Sequence, residues 1–236
     1  MGRKNDALQN RVKTGIPGLD ELLQGGLIRN SSVLLRGTCG TGKTVFCLQY
    51  LTFGALHKEP GILLSVEESR DDIIREAAKF GWNIPTLEKQ KKLAIITRQT
   101  QYSLTISKLE KTARQLGANR IVIDSIPALF SSYPNELRVS EWRSAFHLLC
   151  KILTESCNST AILITEEDWS KGVQFEEYVP KGVLELHQKM IEGIARKFLL
   201  IKKMREVRHS RRMHLYEVTG KGFTIFIPRR MEMEVA

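Results

Sequence analysis

The stretch Ser32-Val33-Leu34-Leu35-Arg36-Gly37-Thr38-Cys39-Gly40-Thr41-Gly42-Lys43-Thr44-Val45 decides the fold. It opens with a short apolar run that stops at a glycine, the form of a strand buried on both faces. Gly37 to Thr44 then reads G-x-x-x-x-G-K-T without a mismatch. From Lys43 to about Leu56, Val45, Phe46, Leu48 and Leu51 recur at helical spacing. A glycine-rich turn could carry a lysine by accident, but strand, loop and helix in this order are the context of a phosphate cradle. Glycines let the backbone wrap phosphates with its N–H groups turned inward, and the helix N-terminus adds its positive dipole end. Lys43 is then placed to reach the β- and γ-phosphates of a nucleotide, and the Thr44 hydroxyl to bind Mg²⁺.

Outward from this stretch, buried-strand runs alternate with helical patterns. Ile62 to Val66, Leu93 to Thr97, Ile121 to Asp124 and Ala161 to Thr165 read as strands. Arg70 to Phe80 has helical periodicity and stops at Gly81; Ile106, Leu109, Ala113 and Leu116 mark another helix. Val139, Trp142, Phe146, Leu149 and Leu153 outline a longer one. Such alternation implies an α/β fold with a mainly parallel sheet flanked by helices. After Gly182 the texture changes to strand-like runs at Phe198–Lys203, Met213–Val218 and Phe223–Ile227, which predict antiparallel strands at the C-terminal edge. With no repeat and no low-complexity linker, the expected organisation is a flexible basic tail over 1–12, one domain over 13–228 and a tail over 229–236.

Two acidic features sit where such a sheet binds ligands, at the carboxyl ends of its strands. Asp124 closes an apolar strand and is the natural second partner of a phosphate-bound metal, although it or Ser125 could instead cap the next element. Glu67-Glu68 follow another strand. A carboxylate there can orient or deprotonate the water that attacks a γ-phosphate. The competing role is helix-start chemistry, since Glu-Glu-Ser-Arg-Asp-Asp also reads as a capped N-terminus. The doublet and its position favour catalysis, with Glu67 ahead of Glu68.

The whole chain has 236 residues, 42% of them hydrophobic, which suffices for a core and excludes a mainly disordered protein. No run approaches the roughly 20 apolar residues of a membrane span, and Met1 to Asp20 lacks a secretory h-region, so a cytoplasmic protein without membrane insertion is expected. Cys39, Cys47, Cys150 and Cys157 form no C-x-x-C pair and no zinc-finger spacing, so reduced thiols are expected. A formal charge of +10 permits a polyanionic partner without identifying one. Much of the excess lies between Arg196 and Arg212.

TGIPGLDELLQGGL at Thr14–Leu27, the loop GTCGTGKT, LLSVEESRDDIIREAAKFGW, IVIDS, ILITEE and KMREVRHSRRMHLYEVTGKGFTIF occur in this order. Together they resemble the KaiC-like branch of the RecA-fold ATPases, which includes archaeal single-domain members and RadA paralogs. The resemblance runs from about Arg11 to Ile227. It implies a RecA-type, P-loop core that binds and hydrolyses ATP with Mg²⁺ and assembles into a homo-oligomeric ring, commonly a hexamer, with ATP between neighbours. Glu67 and Glu68 become the catalytic carboxylate pair, and Lys43 joins them as a catalytic group. Gly37, Thr38, Cys39, Gly40, Thr41, Gly42, Lys43, Thr44 and Val45 become the nucleotide site. Thr44 and Asp124 hold the metal, and Glu166, after Thr165, senses the γ-phosphate. Lys203 and Arg205 match a K-x-R pair that reaches the neighbour's ATP in trans, although lysine on an edge strand also serves simply to discourage aggregation.

Two outputs follow from such an engine. Nucleotide-dependent regulation of a protein partner ranks first. A DNA-dependent ATPase of the recombinase-paralog type ranks second, because Lys and Arg release counterions from phosphates. Against it, the loop from Glu166 to Glu177 carries five acids and one lysine, and only a dozen residues precede the core. An ATP-binding switch with little hydrolysis ranks third.

Overall fold

A computed structural model describes residues 10–131, 139–166 and 177–227. Arg11–Val12 (β1) pairs antiparallel with Leu27–Ile28 (β2), around a short helix, Leu19–Leu22 (α1). Val12, the last residue of the stretch expected as a basic tail, is buried. Then come Ser32–Gly37 (β3), Lys43–Leu56 (α2), Gly61–Ser65 (β4), Arg70–Ala78 (α3), Ile84–Lys89 (α4), Leu93–Thr97 (β5), Tyr102–Leu116 (α5) and Arg120–Asp124 (β6). Ile126–Phe130 (α6), Val139–Lys151 (α7, ending in a wider turn at Ile152–Ser156) and Thr160–Glu166 (β7) complete the parallel part. Gly182–Ile191 (β8), Ile194–Met204 (β9), Met213–Thr219 (β10) and Gly222–Ile225 (β11) close the described chain.

Nine strands form one sheet in the order β11-β10-β9-β8-β3-β7-β6-β4-β5. Every pair from β8 across to β5 is parallel, and β9, β10 and β11 extend the sheet antiparallel at one edge. The period of two along each central strand deals residues to opposite faces. Val33, Leu35, Leu63, Val122, Ile162 and Ile164 pack with α1–α4 and the antiparallel edge. Leu34, Ile62, Leu64, Ile121, Ile123 and Leu163 pack with α5–α7. Both faces are covered, which is why these strands read as unbroken apolar runs. Among the described residues no helix is long and apolar enough to cross a membrane.

Sequence reading missed β1, β2, α4, α6 and β8. α4 is a single short stretch whose signal is its cap, Asn83, which accepts from Thr86 N at 3.0 Å. β8 was hidden because its sequence, GVLELHQKMI, turns polar halfway. Its buried Glu185 belongs to an ion network described below, and its last residues are exposed.

One buried charge fastens the first layer. Arg120 is fully buried; Nη1 donates to Tyr50 O and Nη2 to Lys13 O, both at 2.8 Å, and Nε to Glu59 Oε2 at 3.0 Å. Its guanidinium stacks 4.5 Å from the Tyr50 ring centroid. Burial pushes the Glu59 carboxyl up, but the bonds and charges of Arg120 and Arg29 outweigh this and hold it below the usual range.

Candidate nucleotide site

Gly42 precedes α2 with φ 95°, and a side chain there would also crowd Val218, so the loop needs glycine at that point. The Thr41 hydroxyl donates to Thr38 O at 2.8 Å, closing the loop on itself. Lys43 Nζ donates to Gly37 O at 2.8 Å and Thr38 O at 3.1 Å, so the ammonium lies across the loop's mouth. Thr44 Oγ1 donates to Asp124 Oδ2 at 3.0 Å, joining the first turn of α2 to the end of β6.

These groups open into a cleft of about 810 Å³ whose wall includes Cys39, Gly40, Gly42, Lys43, Thr44, Val45, Glu67, Glu68, Asp124 and Glu166. Of the expected loop residues, Gly37, Thr38 and Thr41 do not line it; Gly37 and Thr41 are buried and Thr38 is exposed. Burial raises the Asp124 carboxyl; the Thr44 bond and Lys43 charge work against this, while Glu67 and Glu166 reinforce it. Glu68 is likewise raised, by burial first and then by Asp124, Glu76, Asp72 and Glu67. The cleft thus gathers negative charge at one end, facing the cationic mouth of the loop. Acids crowded in this way are suited to a divalent cation and to a proton acceptor.

The structure separates the competing roles of the acidic residues. The cap of α3 is Ser69, whose hydroxyl accepts from Asp72 N at 3.2 Å, and Asp71 and Asp72 supply the first-turn acids. Glu67 and Glu68 precede that cap and face the cleft. Nor does Ser125 cap α6 with its side chain: its hydroxyl donates to Glu67 Oε2 at 3.1 Å. Lys203 and Arg205 lie away from the chain's own cleft. Lys203 Nζ donates to Glu177 O at 2.7 Å, and Arg205 Nη2 donates to Tyr178 O at 3.1 Å.

Three contacts on the site escaped sequence reading. They are the Ser125–Glu67 bond, a bond from Lys197 Nζ to Gly40 O at 2.7 Å, and one from the buried Tyr216 hydroxyl to Thr41 O at 2.7 Å. The last two bring the antiparallel edge onto the phosphate loop. Cys39 is exposed in the loop, and Cys47, Cys150 and Cys157 are buried free thiols. Most of the acidic loop from Glu166 to Glu177, residues 167–176, lies outside the described residues.

The family profile described as "ATPase: KaiC" matches residues 12–230. A UPF0273 protein of Aeropyrum pernix is 31% identical over 95% of this chain and 99% of its own length. Another, from Thermotoga maritima, is 33% identical over 92% and 96%. Circadian clock protein KaiC2 of a Synechocystis strain is 33% identical over 91% of this chain, which spans 40% of that larger protein. A crystal structure of a KaiC-like protein from Pyrococcus horikoshii superposes with a TM-score of 0.82 at 34% identity, covering 92% of this chain and 99% of that one. Phosphate loop, acidic strand ends, sheet order and these likenesses converge: the chain belongs to the KaiC-like family of RecA-fold ATPases.

Proposed function

We propose that the protein binds Mg-ATP in this cleft, hydrolyses it between subunits of a homo-oligomeric ring of about six copies, and uses its nucleotide state to regulate a protein partner. The observation that carries the reading is the contact of Thr44 with Asp124 at 3.0 Å in the same cleft as Lys43, Glu67 and Glu68. The oxygen-only pair Thr44 and Asp124 fits Mg²⁺, a hard cation that keeps several waters and takes few protein ligands. Among the described residues there is also no group of three or more His, Cys, Asp or Glu that could hold a metal on its own. When bound there, Mg²⁺ neutralises phosphate charge.

The chain's own residues do the rest. Loop N–H groups and Lys43 hold the phosphates and stabilise the charge that grows on them. Glu67, oriented by the Ser125 hydroxyl, receives the proton of the attacking water, with Glu68 as its alternate. Glu166, at the end of β7, senses the γ-phosphate, which its place on the cleft wall supports. Lys203 and Arg205 serve the neighbouring copy's nucleotide, which is supported by their lining a separate cavity and not their own cleft, and which ties hydrolysis to assembly.

ATPase rate against protein concentration, with sizing in ATP and in ADP, tests this. Specific activity should rise with concentration in step with an ATP-dependent assembly. A rate per subunit independent of concentration, from a species that stays monomeric in ATP, overturns the ring. Tight ATP binding with no turnover at any concentration favours the switch.

A further inference from the structure

A buried ion network crosses the sheet beside the phosphate loop. Arg36, the residue before Gly37 on β3, pairs with Glu177 and, at 3.5 Å, with Glu185 on β8. Lys202 on β9 pairs with Glu177 at 2.8 Å and Glu185 at 3.0 Å. His187 Nε2 lies 3.2 Å from Glu185 Oε2. The Arg36 and Glu185 side chains are 7% and 5% exposed, Glu177 22% and Lys202 41%. Charges so placed are costly to bury and are held only where several partners meet them at once.

Glu177 works on both sides of this network. Its carboxylate is gripped by Arg36 from the phosphate-loop strand and by Lys202 from β9. Its own carbonyl, and that of Tyr178, accept from Lys203 Nζ at 2.7 and 3.5 Å, and the Tyr178 carbonyl also accepts from Arg205 Nη2 at 3.1 Å. The backbone of Arg205 is fixed separately, by its N–H to Lys181 O at 2.8 Å. Lysine and arginine carry long stems that lose much rotamer freedom when aimed. A carbonyl pair held rigid by a clamped carboxylate removes that freedom in advance.

We infer that Glu177 is a positioning residue: with Arg36 and Lys202 it clamps the 177–178 backbone so that its carbonyls aim Lys203 and Arg205 at a neighbouring subunit. The inference rests on the trans role proposed for those two cations. It also makes the strand entering a subunit's own phosphate loop and the strand bearing its trans cations parts of one charged clasp.

The test is subunit mixing with Glu177→Gln, which keeps the shape and removes the charge. ATP affinity by calorimetry should stay within about threefold of the parent, the melting temperature should fall because Arg36 loses a partner, and kcat should fall roughly 10- to 100-fold in protein that is still folded, the scale of a misplaced group. Mixed with Lys43→Ala, the variant should regain activity, because its own loop is sound and its neighbour supplies the aimed cations. Glu177→Asp should restore part of kcat. If Glu177→Gln does not fold, Lys202→Gln, at a more exposed position, should give the same loss of kcat at unchanged ATP affinity. Full kcat in Glu177→Gln, or in Lys202→Gln when the first is unfolded, overturns the inference provided Arg205→Ala is impaired. So does a Glu177→Gln that loses ATP affinity and complements Arg205→Ala instead of Lys43→Ala. An Arg205→Ala protein with parental activity removes the trans reading and the inference with it.

Discussion

Lys43 crosses its own loop with bonds to two carbonyls, at 2.8 and 3.1 Å, which hold its ammonium over the loop. Lys43→Ala should weaken ATP binding by about 2–3 kcal/mol, the scale of charge-assisted bonds, as calorimetry with Mg-ATP would show. Glu67→Gln should retain that binding and slow turnover by about 100-fold, within the range of general base catalysis, and Ser125→Ala should reproduce part of the loss. Parental turnover in both Glu67→Gln and Glu68→Gln would remove the carboxylate role. Asp124 offers a test through pH. Its carboxyl is raised by burial, so the folded state favours the protonated form: the destabilisation is absent below the ordinary Asp range and grows as pH rises through the higher folded value. Asp124→Asn should therefore melt at a higher temperature than the parent near pH 7, with the gap closing under acid, while Mg-dependent turnover is lost. A gap that widens under acid is the contrary result.

At the scale of elements, α2 serves two masters. Its first turn carries Lys43 and Thr44, and its last turns bury Tyr50, Leu51 and Ala55 against the sheet. Gly54 sits there because an added Cβ would lie 2.3 Å from Arg120 Nε, on the buried ion cluster with Glu59. Gly54→Ala, normally helpful inside a helix, should cost about 1–3 kcal/mol here, measured by denaturant unfolding, because overpacking outweighs propensity. Legibility also varied by element. β3, α2, β4 and β6 could be read because a strand covered on both faces is apolar throughout and a helix repeats locally. β8 could not, because Glu185 and His187 sit where a buried strand should be apolar, and the partners of Glu185, Arg36 and Lys202, come from other strands. Likewise Ser125 reads as a helix cap until the fold brings Glu67 to its hydroxyl.

For the whole molecule, the +10 charge raises the question of DNA. Arg208, Arg211 and Arg212 are exposed, and Arg211 lines one cavity with Lys203 and Arg205. With a protein-regulating ring as the function, single- and double-stranded DNA should bind more weakly than micromolar at physiological salt in a salt-titrated assay. Micromolar or tighter binding with a steep salt slope, abolished by charge reversal at those three arginines, would put the DNA-linked reading first.

The sequence by itself determined the phosphate loop, its Thr44, the acidic strand ends and the alternating α/β order, because each is written in contiguous residues or a local period. Only the tertiary structure decided that Ser125 holds Glu67, that Tyr216 and Lys197 brace the loop, and that Glu177 joins Arg36 to Lys202. Arg36 and Glu177 are 141 residues apart, and Tyr216 and Thr41 are 175 apart. Such pairs exist only once strand order and register line β8, β9 and β10 up on one side of β3, and no local pattern encodes that choice.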